Sequence, residues 1–204
     1  MKFLISGGGI EGDEQFHNIG AGNKITSRFA LDNDCYSGGF KQDKFDKYLK
    51  RIEKQRSLCM FIVMPDSMGD PVETMNLWRK YYDKYKDWPL AFVAQDGQEA
   101  MPYPPDDDWQ CLFIGGSTGW KMSQGAKRCI QYAVDKGKHV HIGRINSYRR
   151  FKHFACLPGG DGFTCDGTQQ RFVGKKKANA NYRGFEKKYA DSLGTIIPGS
   201  NNRS

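Results

Sequence analysis

Short apolar runs rich in β-branched and aromatic residues recur along the chain at Phe3–Ile5, Arg28–Leu31, Cys59–Met64, Leu90–Ala94, Cys111–Ile114, His139–Ile142 and Gly162–Cys165, and each gives way to polar or glycine-rich residues. Between several of them lie stretches with helical spacing, Lys41–Arg56, Val72–Lys86, Lys121–Lys136 and Ser147–Ala155. Strand and helix therefore alternate in the β/α manner, which predicts a parallel sheet. Two architectures fit, a barrel and an open doubly wound sheet, and both gather functional residues at the carboxyl ends of their strands.

Seven strands are legible, and 204 residues are few for a (β/α)8 barrel, so either an eighth strand is irregular or the barrel is trimmed or distorted. The expected fold is a compact α/β, TIM-like barrel in one domain over 1–197. Met101–Asp108 (MPYPPDDD) reads as a loop over the functional rim, and 198–204 as a frayed tail.

The strand ends deliver Asp32-Asn33, Pro65-Asp66, Gln95-Asp96-Gly97, Gly115-Gly116-Ser117, Gly143-Arg144 and Asp166-Gly167. Four carboxylates aimed at one rim would repel each other and shift one another's pKa values, which suits a pair dividing nucleophilic and acid/base duties. Asp is also a favoured helix cap, so any single one of them could be structural. Near the last strand GDGFTCDGT offers two candidates, Asp161 and Asp166.

The dinucleotide pattern G-x-G-x-x-G is satisfied by Gly7–Gly12 after a strand, with Asp32 about twenty residues on. That motif needs a helix starting at its glycines, whereas Glu11–Thr26 carries no apolar helical stripe and is broken by Gly20 and Gly22. A glycine turn is the preferred reading, and a nucleotide-binding oxidoreductase the rival. His139 and His141 share one face of a strand without a recognisable ligand spacing nearby, and no metal or organic cofactor is expected.

Charge sharpens the substrate class. The chain carries a formal +8, and the segment from Arg144 to Lys188 holds eleven Lys or Arg against three acids, which accounts for the whole excess. A basic segment beside candidate catalytic carboxylates points to an anionic polymer, with Arg144, Asn146, Arg149, Arg150, Lys175, Lys176 and Lys177 as phosphate-binding candidates; the alternatives are a solubilising surface or a non-catalytic nucleic-acid-binding module. The six cysteines lack both zinc-site spacing and the density of a disulfide scaffold. With no long apolar segment or secretory signal, a cytoplasmic protein without a membrane partner is expected.

Read in order, five segments resemble the tRNA-guanine transglycosylase superfamily, most closely its small phage-type relatives acting on DNA guanine. These are ALDNDCYSGGF (Ala30–Phe40), MPD (Met64–Asp66), AQDG (Ala94–Gly97), CLFIGGSTGWK (Cys111–Lys121), and HIGRINS with GDGFTCDGT, and they span roughly two thirds of the chain. The resemblance implies exchange of guanine in DNA for a 7-deazaguanine such as 7-cyano-7-deazaguanine through a covalent glycosyl-aspartate. It makes Asp166 the nucleophile, with Asp161 as competitor, and Asp32 the acid/base, with Asp34 as alternative. Asp66, Gln95, Asp96, Gly97, Gly115, Gly116 and Ser117 would hold the heterocycle. The zinc cluster of the tRNA enzymes is missing, which favours DNA over tRNA.

Overall fold

The computed structural model describes residues 1–4, 14–18, 25 and 27–194. The Gly7–Gly12 motif and the 198–204 tail lie outside these residues. Among the described residues, eight parallel strands form one sheet: β1 (Lys2–Phe3), β2 (Gln15–His17), β3 (Phe29–Leu31), β4 (Cys59–Val63), β5 (Leu90–Ala94), β6 (Cys111–Ile114), β7 (His139–Ile142) and β8 (Thr164–Cys165). Their order is β1-β8-β7-β6-β5-β4-β3-β2, so β1 and β2 are the two ends of the ladder.

The sheet is curled. Phe16 of β2 stacks on His141 of β7 at 5.1 Å between ring centroids, although four strands separate them in the ladder. Period-two alternation sends Ala30, Phe61, Val63, Ala91, Val93 and Cys111 to this enclosed side, where they pack with Leu4 and Phe16. The alternate positions Leu31, Ile62, Phe92, Leu112, Val140 and Cys165 join the larger core beneath the helices. The result is the trimmed (β/α)8-like architecture that the strand–helix alternation predicts.

The helices are α1 (Gln42–Ile52), α2 (Pro71–Tyr85), α3 (Thr118–Lys121), α4 (Gln124–Asp135), α5 (Tyr148–Ala155), α6 (Gln170–Val173) and α7 (Lys175–Gly194). In α1 the buried Phe45, Tyr48, Leu49 and Ile52 follow i, i+3, i+4, i+7 spacing. Asp70 caps α2 by accepting from the Val72 and Glu73 amides, with Pro71 opening the helix. The helix expected over Lys121–Lys136 runs over Gln124–Asp135, where Ser123 caps its start, and the separate short α3, capped by Ser117, precedes it.

The β5–β6 crossover has no α-helix. It is made by Met101–Asp108, which corrects the expectation of a loop over the functional rim: the Asp106 carboxylate meets Lys136 Nζ at 2.6 Å, and the Lys138 ammonium donates to the Asp106 carbonyl beside the start of β7. Prolines cannot sustain a helix here, yet the chain must still return to the amino end of β6. Among the described residues, no helix is long and apolar enough to cross a membrane.

Candidate active site

Most strand-end residues singled out by sequence surround one cavity of about 190 Å3 at the carboxyl end of the sheet. Its walls include Asp32, Asn33, Asp66, Gln95, Gly115, Gly116, Arg144 and Asp166, its apolar inner side Leu4, Phe16, Val63 and Phe113, and its mouth Tyr36 and Met68. Alternation explains the convergence. Asp32, Gln95, Gly115 and Asp166 each stand two residues beyond an inward-facing Ala30, Val93, Phe113 or Thr164, and so project one layer above the packed interior.

Asp166 Oδ1 accepts from the Arg144 amide at 2.9 Å and lies 3.3 Å from His141 Nε2. Asp32 Oδ2 accepts from Asn18 Nδ2 at 3.0 Å, and the same amide reaches Asp34 Oδ1 at 3.1 Å. Burial, then the charges of Asp166 and Asp34, push the Asp32 carboxyl up to about 7. Near neutral pH it can thus both give and take a proton. Asp34 sits in the left-handed region at φ 57 as the cap of a short turn and does not line the cavity. Asp161 is exposed and precedes the amino end of β8, where its carbonyl receives the Met1 ammonium. Of the two candidates near β8, only Asp166 faces the cavity.

Asp66 belongs to a second polar group. Asn33 Nδ2 donates to its Oδ1 at 2.7 Å and Gln95 Nε2 to its Oδ2 at 2.6 Å. Burial raises the Asp66 carboxyl, opposed by these hydrogen bonds, one from Cys35, and the Arg144 charge. The nearby Cys35 thiol is pushed up to about 12, mainly by burial, which disfavours a thiolate nucleophile. Gln95 Oε1 accepts from the Gly69 and Gly116 amides, each at 3.0 Å.

Gly115 and Gly116 are steric necessities. A Cβ on Gly115 would come within 2.8 Å of Val93 and 2.9 Å of Gln95; one on Gly116, whose φ is 53, would meet the Trp120 ring at 2.5 Å. Three other expected base-binding residues stand back from the cavity. Asp96 and Ser117 bind each other through two 2.6 Å hydrogen bonds, and Gly97 forms a left-handed turn at φ 88. Their expected contact with a base gives way to holding the β5 and β6 loops together.

Arg144 is one of the residues with most to do at the rim. With φ 61, it turns its amide to Asp166, donates from its guanidinium to the Gly116 carbonyl at 2.5 Å, and lies 4.6 Å over the Tyr36 ring. Below it, buried Lys121 donates to the Gly143 carbonyl at 2.6 Å; burial, aided by Arg144, lowers its amine to about 7. Asn146 exchanges hydrogen bonds with Thr168, to its hydroxyl at 2.7 Å and from its amide at 2.8 Å, a loop-bracing role in place of the expected phosphate contact.

The basic candidates Arg149 and Arg150 lie in the first turn of α5, just past the rim end of β7, and Lys175–Lys177 open α7, which follows α6 from the rim end of β8; Arg149, Lys176 and Lys177 are exposed. Phe172 of α6 is 82% exposed, whereas Phe151 and Tyr182 belong to the core. Among the described residues, no cluster of three or more His, Cys, Asp or Glu could hold a metal ion.

His141 and Lys121 are site residues that the sequence does not single out: His141 reads as a strand residue without ligand spacing, and Lys121 only as the first residue of an expected helix. No protein-family model matches this chain, and no curated protein does.

Proposed function

We propose that the protein is a glycosyl-transfer enzyme, a guanine transglycosylase acting on DNA, that replaces guanine with a 7-deazaguanine such as 7-cyano-7-deazaguanine. The observation that carries this reading is the placement of Asp32 and Asp166 on one cavity, with Asp32 raised to about 7 in part by the Asp166 charge. Two carboxyl groups of unequal proton affinity are what a double displacement at an anomeric carbon needs.

In the first half-reaction an oxygen of Asp166 bonds to the anomeric carbon, and the electron pair of the glycosidic C–N bond leaves with guanine, which takes the Asp32 proton. In the second, the Asp32 carboxylate removes a proton from the incoming base. That base's nitrogen attacks the same carbon and expels Asp166, so configuration is retained. Among the described residues, both hydrogen bonds to Asp166 fall on Oδ1, which leaves Oδ2 as the attacking oxygen.

The polar group around Asp66 and Gln95 supplies donors and acceptors at the cavity wall for a planar heterocycle. A cavity of about 190 Å3 is below the ~300–1,000 Å3 of drug-sized pockets, which suits one extruded base rather than a base pair. The polymer would lie across the rim, where Arg149, Arg150, Lys176 and Lys177 meet phosphates and exposed Phe172 and Tyr36 offer stacking faces.

The test is incubation of the protein with guanine-containing DNA and 7-cyano-7-deazaguanine, followed by digestion to nucleosides and mass spectrometry. Guanine release with appearance of the modified nucleoside is expected; absence of both on DNA and on tRNA rejects the proposal.

A further inference from the structure

Among the described residues, a line of polar side chains runs up the enclosed side of the sheet to the cavity. His139 Nε2 is 2.7 Å from Thr164 Oγ1, Thr164 Oγ1 is 2.9 Å from His141 Nδ1, and His141 Nε2 is 3.3 Å from Asp166 Oδ1. The parallel register pairs His141 with Thr164, so the two neighbouring strands hold this line in place. His141 is fully buried, stacked on Phe113 at 4.9 Å and Phe16 at 5.1 Å, with Phe61 edge-on at 5.3 Å.

Donor and acceptor requirements orient the line. A carboxylate offers only acceptors, so the nitrogen facing Asp166 carries the proton, and in a neutral ring Nδ1 is then an acceptor for the Thr164 hydroxyl. Thr164 Oγ1 keeps a lone pair for His139 Nε2–H. Burial in this aromatic setting lowers the proton affinity of both rings, that of His139 to about 4, in keeping with neutral imidazoles. A flipped ring would present C–H groups to Thr164 and Asp166 and forfeit both bonds.

We propose that His141 is the positioning residue of Asp166: fixed by Thr164 as the Nε2–H tautomer, it holds Oδ1 together with the Arg144 amide and thereby aims Oδ2 at the anomeric carbon. The role rests on the transglycosylase reading of the site. Packing alone would ask only for a large apolar ring at 141. A donor aligned on the nucleophilic carboxylate, with its tautomer set from behind, instead orders the attacking group before substrate arrives.

Two measurements on the full chain test it. In the resting protein, 15N NMR of the imidazoles should show His141 with Nε2 protonated and Nδ1 bare; an Nδ1–H tautomer or an imidazolium overturns the proposal whether or not exchange is detected. In exchange assays His141→Leu should lose ~10- to 100-fold in kcat, the rate equivalent of one hydrogen bond to a charged group, with KM for DNA unchanged. His141→Gln, which restores an N–H near the ε position, should return to within about threefold of wild type. Thr164→Val should lose part of kcat, and Thr164→Ser should regain it.

Wild-type kcat in His141→Leu overturns the positioning role and leaves the transglycosylase reading intact. An inactive wild type on DNA and tRNA overturns that reading and the role with it. Should His141→Leu fail to fold, the Thr164 pair and the tautomer decide.

Discussion

Gln95 Nε2 donates to Asp66 Oδ2 at 2.6 Å, while Gln95 Oε1 accepts the Gly69 and Gly116 amides. One buried amide therefore joins the loops after β4, β5 and β6. Replacing it by a carboxylate keeps the acceptor and sets two acids against each other.

Gln95→Glu should accordingly make stability pH-dependent. Both Asp66 and the new carboxyl would have folded-state proton affinities above their unfolded values, so stability is retained below pH ~4 and falls as pH rises through the folded range. Thermal melts at pH 5 and pH 8 should show the variant losing several degrees more at pH 8 than wild type does. Equal losses at both pH values would mean the Asp66 contact is not maintained in solution.

Asp32 makes a prediction of its own. Its folded value of about 7 lies above the ordinary carboxyl range, so the Asp32 contribution to stability is lost between pH ~4 and pH 7, where the buried His17 and His139, lowered to about 4, act in the opposite sense; the difference between wild type and Asp32→Asn isolates it. Asp32→Asn should raise Tm by about 5 °C at pH 8, less at pH 4, while abolishing exchange. For the wild-type protein, kcat/KM of the proposed guanine release should decline above pH ~7 as Asp32 deprotonates. A flat profile to pH 9 would exclude Asp32 as the proton donor.

Gly116→Ala should cost about 2 kcal/mol or more, because φ 53 disfavours a side chain and its Cβ would press on Trp120 at 2.5 Å and Asp96 at 2.7 Å. Urea denaturation measures this. A loss under 0.5 kcal/mol, within the range of a neutral surface change, would show that the loop relaxes freely.

Salt dependence tests the rim. Lys176→Ala and Lys177→Ala together should weaken DNA binding and, if both contact phosphates, reduce the slope of log affinity against log salt by about 1.8 for a duplex. Phe172→Ala should lower affinity with the slope unchanged, since stacking releases no counterions. Fluorescence anisotropy at several salt concentrations separates the two effects.

How far the sequence reached depends on how much each element states locally. Strands Leu90–Ala94, Cys111–Ile114 and His139–Ile142 are legible to the residue because each is an apolar run bounded by polar turns. Strand β2 was not, since only three residues, Gln15–His17, make it within a glycine-rich stretch; its ordering comes from pairing with β3, from Phe16 packing inside and from Tyr48 lying 3.1 Å from His17. Helix α7 carries its stripe only at Ala178, Tyr182, Phe185 and Tyr189, a spacing of four, three and four hidden by the surrounding lysines.

The site divides in the same way. Asp32, Gln95 and Asp166 follow from alternation counted outward from the strands. His141 does not, because its significance comes from Thr164 and Asp166 on the neighbouring strand, and cross-strand register is not written in either segment alone. The backbone of Arg144 is likewise beyond reach, since a left-handed arginine is disfavoured locally and persists only because Asp166, Gly116 and Tyr36 hold it.

Phe3 donates its amide to Glu186 at 2.7 Å and stacks on Tyr182 at 4.2 Å, while β1 pairs with β8. Partners separated by more than 160 positions must wait for one another. During synthesis β1 would leave the ribosome well before its partners, and the wall of the cavity that carries Asp166 would gain its outer support only after Tyr182 and Glu186 had emerged.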